Sequence, residues 1–309
     1  MRVLVTGGTG YLGQAVVRAL ADRGHTPVVF ARGALASGLP GVAADGDVRD
    51  LPALTRAVRG CDALCHMAAL VSVWRRRAQD FDDVNIGGLR NALAAAASAG
   101  ISRIVYTSSF LARPPVGQTQ PLRANDYQRT KAEANRVADV EVQRGHPMIR
   151  LYPGVIYGPG RFTEGNLVGR LIRDHLHGRL PGLIGADRPW SYAWIDDVAA
   201  AHAVALERAA PGSSYVLGGV NVPQMDVFEQ VRAITGRRLP RRIPFGVAKA
   251  MGVLEEARAA LFRSPPLLTR GVVEIFAHDW SLDSRGAIND LDFCIRPLKQ
   301  GVAELVASL

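Results

Sequence analysis

The residues best suited to chemistry in this chain are Tyr127 and Lys131, four positions apart in the run Tyr127-Gln128-Arg129-Thr130-Lys131. On a helix, such positions share one face, about 6 Å apart along the axis. A phenol with a pKa of about 10 is a poor base at neutral pH. A neighbouring ammonium favours the phenolate and lowers that pKa, so the pair could exchange a proton with a substrate hydroxyl. Lysine also keeps donors to spare for a ribose hydroxyl. The choice of residue is pointed, because Lys131, Lys249 and Lys299 are the only lysines beside 34 arginines. A third group, Ser109 of Thr107-Ser108-Ser109, sits where a predicted strand ends. A hydroxyl there can hydrogen-bond a substrate oxygen and stabilise charge that develops on it.

These groups need a ligand to act with, and the N-terminus suggests one. Thr6-Gly7-Gly8-Thr9-Gly10-Tyr11-Leu12-Gly13 follows a predicted strand and opens a predicted helix. Bare backbone at Gly7 and Gly10 lets a pyrophosphate approach, and the helix N-terminus offers oriented N–H groups and positive potential. Gly13 permits close packing behind the turn. At the end of the second strand, a fold that prefers NAD usually places an acid for the ribose 2′-hydroxyl. Here Arg32 occupies that place, and an arginine accommodates a 2′-phosphate. The expectation is therefore NADP(H), with NAD(H) possible.

The elements that must position these residues are legible in outline. Predicted strands at 2–6, 26–31, 41–44, 63–66, 103–107 and 148–151 alternate with helices at 12–23, 51–58, 84–99 and 126–144, the pattern of βαβ units and a parallel sheet. Gly24 and Gly100 stop two of these helices. After residue 151 proline and glycine punctuate 152–160 and 178–189, and helices resume at 197–208, 224–235, 246–261 and 298–308. The reading is an α/β doubly wound parallel sheet over 1–155. A smaller, mostly helical substrate lobe covers 156–309, with late sheet strands interleaved.

Composition sets limits. No apolar run approaches the ~20 residues that span a bilayer, so no membrane insertion is expected. Val3–Val5 is too short for a signal core, so a cytoplasmic protein is expected. The formal charge of +9 suits an anionic dinucleotide, and the Arg75–Arg77 run is too short to argue for nucleic acid. Cys61 and Cys65, if both lie in a strand, are ~13 Å apart and cannot form a disulfide. Neither they nor Cys294 belong to a metal-binding cluster.

With these pieces in place, the chain resembles the extended short-chain dehydrogenase/reductase family, nearly end to end. Asp47-Val48-Arg49-Asp50 is similar to the family's adenine-contacting pair, and His66-Met67-Ala68-Ala69 to the segment whose backbone lines the cofactor. Asn85-Ile86-Gly87-Gly88 with Asn91, Tyr157-Gly158-Pro159-Gly160 and Ile195-Asp196-Asp197-Val198 resemble three further signatures. The resemblance implies a Rossmann fold with Tyr127 as catalytic acid/base, Lys131 as its pKa partner and ribose anchor, and Ser109 as carbonyl polariser. It also implies that Gly7, Gly10, Tyr11, Leu12, Arg32, Asp47, Val48, Met67, Ala68 and Ala69 line the dinucleotide. Pro153, Val155 and Ile156 would lie near the carboxamide.

Within the family, the runs 151–160 and 163–168 look most like the dihydroflavonol-4-reductase-like branch, which acts on ketones and secondary or allylic alcohols of apolar character. Nucleotide-sugar epimerases and dehydratases usually carry an arginine a few residues before the Asp-Asp pair, where Trp190 stands here, with Arg188 close by. Trp74, Phe110, Phe162 and Trp190 are candidate pocket-lining aromatics. The expected activity is thus that of a ketoreductase or alcohol dehydrogenase acting on a small molecule. The alternatives are a nucleotide-sugar epimerase or dehydratase with tightly held NAD, and a non-catalytic dinucleotide sensor. Many relatives dimerise, so a homodimer is expected by analogy.

Overall fold

The computed structural model describes all 309 residues. In chain order the first half comprises β1 (Arg2–Thr6), α1 (Tyr11–Asp22), β2 (Thr26–Ala31), β3 (Val42–Asp45), α2 (Leu51–Ala57), β4 (Ala63–His66) and α3 (Gln79–Asp82). A π-helical turn (Asp83–Gly87) leads into α4 (Gly88–Ser98), followed by β5 (Ile104–Thr107), α5 (Asp126–Gln143) and β6 (Met148–Pro153). The second half holds β7 (Val155–Tyr157), α6 (Leu167–Leu176), β8 (Leu183–Ile184), β9 (Pro189–Trp194), α7 (Ile195–Arg208), β10 (Ser214–Leu217) and β11 (Val220–Pro223). It closes with α8 (Gln224–Thr235), β12 (Arg242–Ile243), α9 (Phe245–Phe262), α10 (Arg270–Phe276), α11 (Arg285–Leu291) and α12 (Leu298–Ala307).

Seven strands form one sheet in the order β3-β2-β1-β4-β5-β6-β10. Every pairing in it is parallel. Strands covered on both faces read as unbroken apolar runs, which explains Ala63–His66 and Ile104–Thr107, buried throughout. One face packs on α1, α7 and α11 through residues such as Val16, Val17, Val198 and Leu291. The opposite face packs on α2, α4 and α5 through Leu54, Leu89, Leu93 and Ala138. The strand order reverses between β1 and β4, so the crevice for a ligand opens beyond their carboxyl ends.

The second lobe has its own core, built from α6, α8 and α12 with the sheet β11-β9-β7. Its aromatic centre includes Trp190, Tyr192, Trp194 and Trp280. The division near residue 155 is not a clean cut, because β10 returns to the large sheet beside β6 and α7 packs against α1. Gly24 and Gly100 take φ of +79° and +66° just past the ends of α1 and α4, the left-handed stop expected of them. Cys61 falls ahead of β4 rather than inside it, which corrects its expected placement; it and Cys65 are buried free thiols.

Candidate active site

Three turns meet at the crevice. The first is the link between β1 and α1. Gly7 has φ +73°, and a Cβ there would stand 2.7 Å from the Ala68 Cα. At Gly13 a Cβ would meet the Gly7 carbonyl oxygen at 2.2 Å, so the helix rests directly on the turn. Gly10 caps α1 with no side-chain partner, and the first turn carries no acid. The positive helix end is thus bare, closely approachable and uncompensated, which fits an anionic phosphate group. Gly7→Val should therefore cost the protein its thermal stabilisation by added dinucleotide, read by a melt with and without NADP+. An unchanged shift would count against this cradle.

The second turn follows β4. Met67 N donates to the Thr6 carbonyl at 3.2 Å and Ala68 N to Thr6 Oγ1 at 3.4 Å, tying this segment to the glycine turn. His66 Nδ1 lies 2.8 Å from the same hydroxyl. Burial and the nearby Lys131 ammonium hold the His66 pKa down at about 3, so its ring is neutral. Asn85, in the π-helical turn, accepts from Leu70 N at 2.7 Å and donates to Thr130 Oγ1 at 2.9 Å. It therefore locks the segment after β4 to the helix that carries Tyr127 and Lys131. A π turn widens the backbone locally, and such turns cluster at functional sites.

The third turn follows β5. Ser109 is buried and accepts from Leu111 N at 3.2 Å, capping the short 3₁₀ turn Phe110–Ala112. Across from it, Asn125 caps α5 by accepting from Gln128 N, which fixes where the helix starts and so where Tyr127 stands. Tyr127 is half-buried, with its phenol beside the Ser109 side chain. One turn on, Lys131 is 3% exposed and its Nζ donates to the Thr107 carbonyl at 3.0 Å. The ammonium also lies 5.3 Å from the centre of the Tyr106 ring, a cation–π contact.

The electrostatics reverse one expectation. Burial pushes the Tyr127 pKa up to about 12, and the neighbouring Ser109 hydroxyl opposes it only in part. Burial also lowers the Lys131 pKa to about 7. The ammonium is thus occupied by a backbone carbonyl and does not turn the phenol into a phenolate. Desolvation is the largest influence on both groups. At neutral pH the phenol is a proton donor.

The other expected residues fall into place unevenly. Arg32 follows β2 directly, its side chain is 79% exposed, and its one ion-pairing neighbour is Asp47 at 4.0 Å. Asp47 is gripped by Arg49 at 2.9 and 2.7 Å, which holds its carboxyl down at about 2. Val48 is buried against α4, and Asn91 donates to its carbonyl at 3.0 Å. The Tyr11 hydroxyl donates to the Gly158 carbonyl at 2.9 Å, fastening α1 to the second lobe, while Leu12 packs into the core. Pro153 ends β6; Val155 is buried and Ile156 partly so in β7.

Phe110 and Trp190 are buried side chains that meet edge to face at 6.0 Å, and Trp190 lies 4.6 Å from Phe276. Trp190 therefore belongs to the second core, and Arg188 points to solvent. Trp74 and Phe162 lie on two loops that touch through Val73 N and Arg75, both on Glu164. Phe162 is covered by Arg173 at 4.1 Å.

Spacing alone did not point to His202. Its Nδ1 donates to the Val198 carbonyl at 2.8 Å, so its Nε2 accepts from Thr107 Oγ1 at 2.9 Å. It braces the residue whose carbonyl holds Lys131. The only sequence signal is a histidine on the apolar face of a predicted helix.

The glycine turn on a parallel sheet, with a phenol, a lysine and a serine at the carboxyl edge, defines a dinucleotide-dependent enzyme of the doubly wound class. The chain belongs to the NAD dependent epimerase/dehydratase family, whose model matches residues 3–218. It is 33% identical over 271 residues to sterol demethylase protein B of Methylococcus capsulatus, covering 83% of this chain and 81% of that one. It is 32% identical over 296 residues to a 2-alkyl-3-oxoalkanoate reductase of Stenotrophomonas maltophilia, with 89% and 88% covered. A putative dihydroflavonol 4-reductase of Synechocystis is 29% identical over 324 residues, with 98% and 92% covered.

Proposed function

We propose that the protein is an NADP(H)-dependent ketoreductase, reversible as an alcohol dehydrogenase, for an apolar ketone or secondary or allylic alcohol. The observation that carries this reading is the meeting of Ser109 and a protonated Tyr127 at the end of β5, one helical turn from Lys131. A bound dinucleotide supplies or accepts the hydride. Ser109 would polarise the carbonyl, and Tyr127 would deliver the proton to its oxygen. With its pKa held at about 12, the phenol carries its proton at neutral pH, which is the form that ketone reduction uses. Gly7, Gly10, Ala68 and Lys131 would hold the dinucleotide, with Arg32 at its 2′-phosphate.

The substrate class follows from what surrounds the site. Where sugar-nucleotide enzymes place an arginine, an indole is packed into the core, and an indole cannot neutralise a diphosphate. The relatives named for a sterol and for an alkyl oxoalkanoate support an apolar carbonyl compound. A homodimer would use the outer faces of α4 and α5, where Arg90, Arg136, Glu133 and Glu141 line a shallow groove of mixed charge.

The test is a panel of apolar ketones followed at the NADPH absorbance. Net oxidation of NADPH is expected. Tightly held NAD, no net turnover, and interconversion of a sugar nucleotide would overturn the reading in favour of an epimerase. Cofactor choice has its own test. Arg32→Asp should lower the preference for NADPH over NADH at least ~10-fold in kcat/KM, the worth of one charge-assisted bond to phosphate. An unmoved ratio would release Arg32 from this role.

A further inference from the structure

Helix α9 is at odds with its surroundings. It touches the rest of the protein along a narrow seam of Ala248, Gly252 and Ala259. Most of the rest of this 18-residue helix is exposed, and its exposed arc is mainly apolar: Val247, Met251, Val253 and Leu254 lead to Leu261 and Phe262. Leu254 is 70% exposed, Leu261 75%, Phe262 69%, and Leu267 in the following loop 88%. The helix's two acids do not interrupt this arc. Glu255 turns inward to Arg258 and the Leu267 N–H, and Glu256 to Arg270. A helix this apolar on its outer side is stable in water only at a cost that a covering surface removes.

Charge points to what covers it. Lys249 stands at one edge of the arc and Arg263 at its end, with Arg238 and Arg241 in the segment leading in; all four are exposed and none is in an ion pair. Arg242 beside them is paired with Asp187. No exposed acid lies on the arc. A second copy seated here by two-fold symmetry would set these cations against their own images with no carboxylate to answer them. The α4–α5 groove, by contrast, carries both signs and suits self-pairing. An apolar stripe rimmed by unpaired cations matches an anionic bilayer surface, with the stripe among the acyl chains and the rim on the headgroups.

We propose that α9 and the Leu267 loop dock this protein on anionic phospholipid membranes, lying in the interface without spanning it. No helix of the chain is long and apolar enough to cross a membrane, and docking does not require one. The helix is close to the site: Gly271, at the start of α10, packs so tightly on Ala124 that a Cβ would meet its carbonyl oxygen at 2.0 Å, and Asn125 next to it caps the helix of Tyr127. If the ketoreductase reading holds, docking would bring the enzyme to where an apolar substrate collects; the docking itself does not depend on that reading.

The experiment is co-sedimentation of the full chain with vesicles of phosphatidylcholine alone or mixed with phosphatidylglycerol. Binding to the mixed vesicles is expected, weakened by salt and at least ~10-fold weaker for Lys249→Glu/Arg263→Glu. Leu254→Glu/Leu261→Glu should abolish it while far-UV circular dichroism and the thermal shift with NADP+ stay as in the parent. The proposal is overturned if the parent does not sediment with mixed vesicles, or if the leucine variant sediments as well as the parent. It is equally overturned if ultracentrifugation shows a parent dimer that the leucine variant splits into monomers, since a second copy then occupies the face.

Discussion

Tyr127→Phe should lower kcat for ketone reduction at least ~100-fold, the usual worth of a positioned general acid. Phenylalanine keeps the ring and its packing and removes only the hydroxyl that faces Ser109. Fold and cofactor affinity should therefore hold, and the loss should fall on kcat more than on the thermal shift with NADP+. The environment makes the prediction sharp. A phenol near 12 is fully protonated across the physiological range, so the reductive direction needs no prior ionisation. Oxidation needs the opposite: the proton must leave a group that burial keeps protonated, and the oxidative rate should climb with pH well above neutrality. A Tyr127→Phe enzyme within tenfold of the parent would remove the phenol from the chemistry.

How far the sequence foretold this differs between the halves. Strands 2–6, 26–31 and 63–66 fall where expected, because a parallel strand buried on both faces is a short apolar run bounded by turns, a signal that needs no partner to be read. None of β7 to β12 had a predicted range. β9 begins at Pro189 and mixes aromatics with Ser191, and β8 and β12 are two residues each, so pairing with neighbours makes them strands, not their composition. Helix α6 was hidden in a stretch crowded with glycine and arginine, its start set by the Asn166 cap on Gly169 N. The helix expected at 84–99 opens instead as a π turn, since Asn85 spends its side chain on Leu70 and Thr130.

The same contrast holds at the site. Tyr127, Lys131 and Ser109 could be chosen by type and spacing, and the glycine turn by its place between strand and helix. The sign of the phenol's pKa shift could not, because spacing reports which groups are neighbours and says nothing of how much water is excluded. Trp190 shows the reverse limit. Its position hinted at what the site lacks, an arginine, but whether the indole lines a pocket or fills a core depends on Phe276, 86 residues away in sequence and 4.6 Å away in space.

Lys131→Met should uncouple stability from activity in a pH-dependent way. An unfolded lysine titrates at about 10.4, whereas Lys131 in the fold titrates at about 7 through burial. Between those values the unfolded chain binds the extra proton, so the parent's stability rises as pH climbs from about 7 towards 10. Below about 7 the buried ammonium imposes its full cost, up to about 5 kcal/mol from a shift of this size. Methionine has similar length and no charge. It leaves the Thr107 carbonyl without its donor, a loss of about 1 kcal/mol or more that is the same at every pH. The melting temperature of the cofactor-free variant relative to the parent should therefore be highest near pH 6 and fall steadily by pH 10. Turnover should drop at all pH values, because the group proposed to anchor the ribose is gone. A melting-temperature difference, variant minus parent, that is flat with pH or rises on the alkaline side would mean that Lys131 is not held in a desolvated state, and the cost assigned to that buried ammonium would have to be withdrawn.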